Sequence, residues 1–596
     1  MKRLALFLLI ALTCSGRNAR TGLIVLGTEP LPVPEGVREI PLPGADFEAD
    51  DWPERIAAFP KREVVNGDEA PDGARYGRIA MRKGARVAIR GMTGIPGEPH
   101  VFSLWVNTPA ASSASIAPNG PPSAPRSYVP LAPGLPSTGG KWRHLSYYFV
   151  LPAQAKTCDF VIEVEDDSTP DATLSFDAPQ LRTASWRELA IAYDGEHANY
   201  PHCDNRHSAD AGQNLSLAVS KWQGKAGLSR KPFVIWALGK PLGNGLPLLL
   251  AIRQNFPDAP PLIYRTLASP GTSWSTAAGW VQQFVGAEQP DLILSSTGGS
   301  PEGLEALLTQ IRRHSTADVM IGSQLGAESS SESAQREICR KHKAQFVEIS
   351  REIAAYLTRH KLEPSALLNE SGQPNAHGLL RSWDAFCRRI APASESSSPE
   401  IRELRIPFGD VRKADSGRRI HVPFTGNRID IIGRKSAGGG KAIVYIDGHF
   451  AHKAPAWRSS FIRADAGDPA LCAVTLSSKL QAQTWSIAMT SNTGKFRLSG
   501  SITGADGAGN ARRPFHSDSG QIHIEPASWR SAVGKTGDRL SFSVSHAASR
   551  VIDFSGTGAF SQTIVQQLPN GPHTLDLVLQ GEADIEAFYI FMPPLK

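Results

Sequence analysis

Phe233-Val234-Ile235-Trp236-Ala237-Leu238 is an uninterrupted apolar run. A glycine-rich turn follows, and then Leu246 to Asn255, where Leu248, Leu249 and Ile252 recur at helical spacing. A run of this kind suits a strand buried on both faces. The alternation then repeats. Leu262-Ile263-Tyr264 precedes a predicted helix over 276–285, and Leu292-Ile293-Leu294 precedes one over 302–313. Val319-Met320-Ile321 leads to a helix over 333–343, and Phe346-Val347-Glu348-Ile349 to one over 351–359. Five such strands alternating with helices predict a central α/β/α domain over 232–392, with a doubly wound parallel sheet. Ligands in that class sit beyond the carboxyl ends of the strands, so the loops after each strand are where chemistry is sought.

On either side the pattern changes to short strands and turns. Over 41–182, Val101 to Val106, His144 to Val150 and Phe160 to Val164 are β-branched or aromatic runs separated by Gly, Pro and Ser clusters. The stretch 183–231 is more polar and reads as a linker. After the Ser/Glu/Pro-rich boundary at 393–399, residues 400–596 again read as strands. The expected fold class is therefore multidomain α/β plus all-β, with two β-sandwich modules flanking the α/β domain. The chain has 596 residues, roughly three or four domains' worth. Its net charge of +6 is spread over a chain only 20% charged, with no long basic run, which excludes a nucleic-acid partner. Six widely spaced cysteines do not make a disulfide framework.

The start, Met1-Lys2-Arg3 followed by Leu4 to Leu12, is basic and then apolar, as in an export signal over 1–14. The apolar stretch stops at Cys14, which resembles a bacterial lipoprotein signal and implies lipidation there. Ala11-Leu12-Thr13 before it is a departure from the small residues such signals carry. Both outcomes, membrane anchoring through a Cys14 lipid or plain secretion, place the protein outside the cytoplasm.

Two further resemblances concern function. Gly44-Ala45-Asp46-Phe47-Glu48, Gly140-Lys141-Trp142 and Phe176 to Arg182 resemble the jelly-roll carbohydrate-binding modules of secreted polysaccharide-active proteins. That resemblance implies stacking of sugar rings on Trp105, Trp142, Tyr147 or Tyr148, against the plainer reading that strand aromatics fill the core. The runs His421 to Gly426, Ala442 to Gly448 and Gly571 to Leu579 resemble the jelly-roll appendage of some extracellular esterases.

The central domain resembles the SGNH, or GDSL-type, esterases, a flavodoxin-like fold. The family's nucleophilic Ser falls at Pro241, its first oxyanion Gly at Gly271, and its oxyanion Asn at Ser300 in Thr297-Gly298-Gly299-Ser300. Its Asp and catalytic His fall at Glu370 and Gln373. Asn375 and Gly378 match the family pattern. Proline has no hydroxyl and Gln takes no proton at neutral pH, so by this resemblance both nucleophile and base are missing. A rival arrangement pairs Ser269, Ser273 or Ser275 with His377 or a linker His.

His197, His202, Cys203, Asp204 and His207 match no standard zinc spacing, and Asp506 among glycines suits a β-turn better than a calcium loop. No metal or cofactor is expected. The expected partner is a polysaccharide or other glycan, and the expected function is binding by a catalytically degenerate esterase-like protein. The alternatives are an active carbohydrate esterase with a non-standard site and a structural cell-envelope protein.

Overall fold

A computed structural model gives the fold. It describes residues 22–27, 38–40, 42, 56–59, 62–66, 71, 75–80, 86–95, 97–109, 112–119, 134–135, 137–150, 157–164, 173–196, 207–224, 232–239, 245–268, 273–281, 285–323, 329–369, 374–391, 401–462, 471, 474–477, 480–529 and 536–595. The signal stretch, Cys14 and the boundary at 393–399 lie outside the described residues.

The five apolar runs form one sheet of β1 (Phe233–Gly239), β2 (Leu262–Ala268), β3 (Leu292–Ser295), β4 (Asp318–Gly322) and β5 (Gln345–Val347). Their order is β2-β1-β3-β4-β5, and each neighbouring pair is parallel. The helices are α1 (Trp186–Glu196), α2 (Ser216–Trp222), α3 (Leu246–Asn255), α4 (Trp274–Trp280), α5 (Pro301–His314), α6 (Ser329–Lys341), α7 (Ile349–His360) and α8 (Ala376–Cys387).

Successive strand residues point to opposite faces, and each face has its own core. Phe233, Ile235, Leu292, Leu294, Met320 and Val347 pack with α2, α3, α7 and α8. Trp236, Leu238, Ile293, Val319, Ile321 and Phe346 pack with α4, α5 and α6. The stretch expected to be a linker supplies α1 and α2. From Leu217 to Trp222 every residue of α2 is buried, because Leu217, Ala218, Val219 and Trp222 complete the sheet's cover.

Before the α/β layers, two antiparallel sheets face each other. One has the strands Gly22–Gly27, Arg143–Val150, Pro99–Asn107, Thr173–Thr183, Arg75–Ala80 and Arg62–Asn66 in that order, and the other is built on Ile56–Phe59, Arg86–Met92 and Thr157–Val164. Phe102, Leu104, Tyr147 and Phe176 of the first meet Val87, Ile89, Phe160 and Ile162 of the second. The strand at 22–27 lies ahead of the expected module start at 41.

After the α/β layers, a four-stranded sheet (Glu403–Pro407, Asp584–Phe591, Arg428–Lys435, Gly558–Val565) faces a second built on Arg419–Gly426, Gly571–Gln580 and Lys441–Ile446. The described residues within 457–546 form further β-structure with its own core of Trp485, Ile487, Phe496, Leu498 and Phe542.

The α/β layers and the last sandwich meet at buried charges. The Lys221 ammonium is bonded to Asp291 and lies 2.7 Å from Glu403. Arg402 pairs with Asp318 and donates to the Thr316 carbonyl at 2.7 Å. Thr316 in turn donates to Glu403 at 2.7 Å. Burial alone would push Lys221 down, but the Asp291 and Glu403 charges hold it above the ordinary lysine value. Burial likewise opposes the Glu403 charge, and Lys221, Thr316 and Arg402 outweigh it, so this carboxyl lies below its ordinary value. Burial and the nearby Glu403 raise Asp291 in spite of Lys221.

Removing one partner of a buried ion pair strands the others, at a cost of about 3–5 kcal/mol. Lys221→Met is therefore expected to lower stability by that amount in urea unfolding. Adding Asp291→Asn and Glu403→Gln to it should recover most of the loss. Glu403's stabilisation is complete above the ordinary value of 4.5 and is lost as pH falls through its lower folded value, while Asp291 acts in the opposite sense. The Lys221 contribution is complete below 10.5 and fades as pH climbs through its higher folded value. A pH series of melting curves should show acid destabilisation that Glu403→Gln flattens.

Candidate functional site

The carboxyl ends of β1 and β3 are where the sequence places the chemistry. Pro241, Gly271, Glu370 and Gln373 lie outside the described residues, as do Ser269, His197, His202, Cys203 and Asp204. Beyond β3 the loop 296–300 is tied down at three points. Thr297 donates to the Leu238 carbonyl at 3.4 Å, Trp274 donates its backbone N–H to the Gly298 carbonyl at 3.3 Å, and Ser300 starts α5. Ser300 sits at the N-cap and accepts from Gly303 N–H at 3.3 Å, while its hydroxyl bonds to Glu302 and holds that exposed carboxyl below its usual range. The residue expected as a short oxyanion donor is thus committed to starting a helix.

Asn375 and Gly378, which match the esterase pattern, have structural roles here. Asn375 is the N-cap of α8, accepting from Gly378 N–H at 3.0 Å and donating to the Ala366 carbonyl at 3.0 Å. A Cβ on Gly378 would fall 2.2 Å from the Leu367 carbonyl oxygen, so only glycine fits. His377 lies 2.8 Å from the Tyr356 hydroxyl through Nε2. Burial first, then Arg381, pulls its pKa down, so it is neutral at pH 7.

Ser275 stands on the other side of the sheet. A Cβ on Gly303 of α5 would come 2.6 Å from Ser275 Oγ. The cores thus divide α4 with Ser275 from α7 and α8 with His377. His207 is exposed. Both Asp506 carboxylate oxygens accept from Ser519, one from its N–H and one from its hydroxyl, each at 2.7 Å, so Asp506 fastens a turn.

A cavity of about 90 Å³ opens at the opposite, amino end of the sheet, between the α/β layers and the last sandwich. Lys221, Glu288, Asp291, Glu403 and Arg428 line it. Its charges are already paired, Lys221 as above, Glu288 with Arg265, and Arg428 with Asp430 at 2.8 Å. This is a joint between domains.

The first sandwich offers a different surface. Alternation along Arg143–Val150 sends Tyr147 inward, where it is wholly buried against Phe149 and Phe160. It presents no ring face to a sugar, so its expected stacking role gives way to core packing. The outward residues form a row, His144 opposite Trp105 and Trp105 opposite Asp177. Trp105 is partly exposed and meets the His144 ring edge-on at 5.2 Å. Trp142, also partly exposed, sits edge-to-face with Tyr76 at 5.2 Å, but its indole N–H is enclosed without a partner.

Further along the same outward face, Val101 and Tyr148 are covered by Leu189 of α1 and Leu246 of α3. The Tyr148 hydroxyl donates to Glu188 at 3.2 Å, and Arg182 reaches the same carboxylate at 3.0 Å. Burial and Glu188 push the Tyr148 phenol up to about 12. One end of this face is a domain contact, and at the other Trp105 is partly exposed while His144 and Asp177 beside it are buried.

No protein-family profile matches the chain, and no curated protein matches it in sequence. Similar solved structures include a two-domain esterase active on acetylated mannans, at 11% identity and TM-score 0.27, over 65% of this chain and 96% of that one. An acetylxylan esterase from Geobacillus stearothermophilus matches at 14% identity and TM-score 0.23, over 26% and 94% respectively. A xylan-binding domain from Paenibacillus barcinonensis matches at 15% identity and TM-score 0.20, over 28% and 99%. Scores this low leave the residues themselves as the ground for any functional reading.

The two aromatics should behave differently on truncation. Tyr147→Ala is expected to cost about 3–5 kcal/mol, as for a large buried ring. Trp105→Ala is expected to shift the melting temperature by only a few degrees. Chemical denaturation of the two variants checks this.

Proposed function

We propose that the chain is an exported, polysaccharide-associated protein in which a doubly wound, SGNH-like α/β domain has lost its hydrolase chemistry. It acts by binding glycan through its β-sandwich modules. The observation that carries this reading is the contrast between scaffold and chemistry. Asn375 caps α8 and Gly378 fills a site with no room for a Cβ, while the positions of nucleophile and base read Pro241 and Gln373. The scaffold residues are held by packing whether or not the domain catalyses. A nucleophile and base are held by catalysis alone, so losing both is what a binding role permits. The hydroxyl of Ser300, bonded at the start of α5, is in keeping with this.

The glycan platform we assign is the Trp105 end of the first sandwich's outward face. Trp105 supplies a partly exposed indole plane, and Asp177 and His144 flank it. Pyranose rings present apolar C–H faces to such planes. The basic-apolar start and Cys14 are in keeping with a cell-envelope or secreted setting, lipid-anchored or free.

Purified protein is expected to show no turnover of acetyl esters above background and no labelling by a fluorophosphonate probe. Stoichiometric labelling of a serine would replace this reading with the active carbohydrate esterase. Affinity electrophoresis through xylan and mannan should retard the wild type, with retardation lost in Trp105→Ala at little cost in melting temperature. No retardation in any polysaccharide would favour the structural cell-envelope role. A Cys14→Ser variant that leaves the membrane fraction would establish the lipid anchor, and one that fractionates like the wild type would remove it.

A further inference from the structure

The last sandwich exposes a second row of side chains. Strand Arg419–Gly426 alternates between exposed or half-exposed and buried residues, so one face of its sheet is open. Strand Arg428–Lys435 in the opposing sheet is buried continuously from Arg428 to Gly433, because its outer side lies toward the α/β layers. The open face therefore points away from the joint.

Cross-strand pairing sets five residues in line on it. Phe450 is opposite Tyr445, Tyr445 opposite Asp576, Asp576 opposite His421, and His421 opposite Arg412. At about 4.8 Å per strand the row spans about 19 Å, the length of a short oligosaccharide.

The chemistry along the row is graded. At one end Tyr445 and Phe450 stack at 4.7 Å with planes 29° apart, and His452 continues the stack at 5.7 Å from Phe450. Phe450 is 46% exposed, and the turn Asp447-Gly448, with positive φ at both residues, holds this hairpin in place. The stack backs Tyr445 from one side and leaves its other side facing across Asp576 toward His421. In the middle, Asp576 is bonded to His421 Nδ1 at 3.0 Å and lies 3.6 Å from Arg419 Nε, which balances its charge. At the far end Arg412, Arg418 and Arg419 are all exposed, against Asp410 and Asp415, while Lys413 alternates to the other face and lies over the Phe408 ring at 4.1 Å. Arg412 has no ion-pair partner among the described residues.

We propose that this face is a second glycan site, and that its ligand is an acidic polysaccharide built of uronic acid units. A pyranose ring stacks on Tyr445 above Asp576, whose carboxylate takes sugar hydroxyls, and a uronate carboxylate further along the chain is met by Arg412. An aromatic plane next to a hydrogen-bonding carboxylate recognises a sugar, and the surplus of exposed cations at one end selects a charged one. The site deepens the proposed glycan-binding function but uses none of the residues of the Trp105 platform.

Calorimetric titration of the whole protein with tetragalacturonate and with cellotetraose tests it. Wild type should bind tetragalacturonate, more weakly as NaCl is raised, and Trp105→Ala, which removes the other platform, should bind cellotetraose at least about tenfold more weakly than tetragalacturonate. Tyr445→Ala and Arg412→Gln should each weaken tetragalacturonate binding by about tenfold, with Trp105→Ala leaving it unchanged. If Tyr445→Ala perturbs the melting curve, Phe450→Ala, which removes a largely exposed ring, stands in for it. Absence of tetragalacturonate binding, equal binding of the neutral oligomer by Trp105→Ala, or full affinity in both aromatic variants overturns the proposal. Loss on Trp105→Ala but not on Tyr445→Ala would assign all glycan binding to the first sandwich. Binding here with no polysaccharide retained at Trp105 would leave this site standing and remove that platform.

Discussion

A single buried lysine ties the α/β domain to the sandwich that follows it. Lys221 closes α2, Asp291 stands just ahead of β3, and Glu403 opens the first strand of the last sandwich. Three segments far apart in the chain meet at one ammonium group. None of these charges is stable in an apolar interior alone, so each is admitted only when the other two arrive. The arrangement sacrifices net stability relative to a well-packed apolar joint and gains a defined docking geometry. Arg402 and Thr316 extend the same network along the amino edge of the sheet, and Leu595 closes it by donating its N–H to the Arg312 carbonyl at 2.9 Å.

The joint occupies the amino end of the parallel sheet and leaves the carboxyl end free of it. A different contact secures the first sandwich. There the outward face of a sheet is shared, Val101 and Tyr148 going to α1 and α3 while Trp105 stays partly exposed. Arg253 of α3 also lies 3.7 Å from Glu98 at the rim of that sandwich. A ligand stacked on Trp105 would thus sit on strands that also bear on α3, the helix that follows β1. The open face of the last sandwich has no such link, since its opposing sheet makes the joint.

Much of the central domain was legible because two periodicities coincide. Runs such as Leu292-Ile293-Leu294 are apolar at every position, which only a strand buried on both faces requires, and the intervening helices repeat at 3.6. The helix 246–255 is found with the bounds expected, and β1 differs by one residue. What escaped was less periodic. α8 is hard to see in the sequence because Asn375-Ala376-His377-Gly378 carries an esterase-like pattern as well as a capping Asn at a helix start. The stretch 183–231 reads as a linker because of its polar run with His197, His202, Cys203, Asp204 and His207, and the place of Lys221 in α2 shows only once its carboxylates are placed. The insertion 457–546 was hidden by Gly504 to Gly509, whose glycines suggest turns, although Phe496 and Phe515 pack over that strand. Positions 241 and 373 lie outside the described residues, and at 300 the sequence shows only a hydroxyl where the resemblance has an amide. The hydroxyl of Ser300, however, showed its capping role only once α5 was placed.

The two sandwiches reach a similar outward composition by different routes, and the difference follows from what each outer face must do. In the first, Trp105, His144 and Asp177 share a face that also carries a domain contact. His144 and Asp177 are buried even though they point away from the core, and burial pulls the His144 imidazole below its ordinary pKa. A half-enclosed aromatic would favour an uncharged sugar, because a charged one would have to give up its hydration there. In the last sandwich the corresponding face is open, His421 and Asp576 remain hydrated at their edges, and exposed arginines can meet an anion without a desolvation cost of that size. On the proposed glycan-binding reading, enclosure on one module and exposure on the other would sort neutral from acidic glycan by the same electrostatic rule. That division would let one chain hold two kinds of polysaccharide with the α/β domain fixed between them.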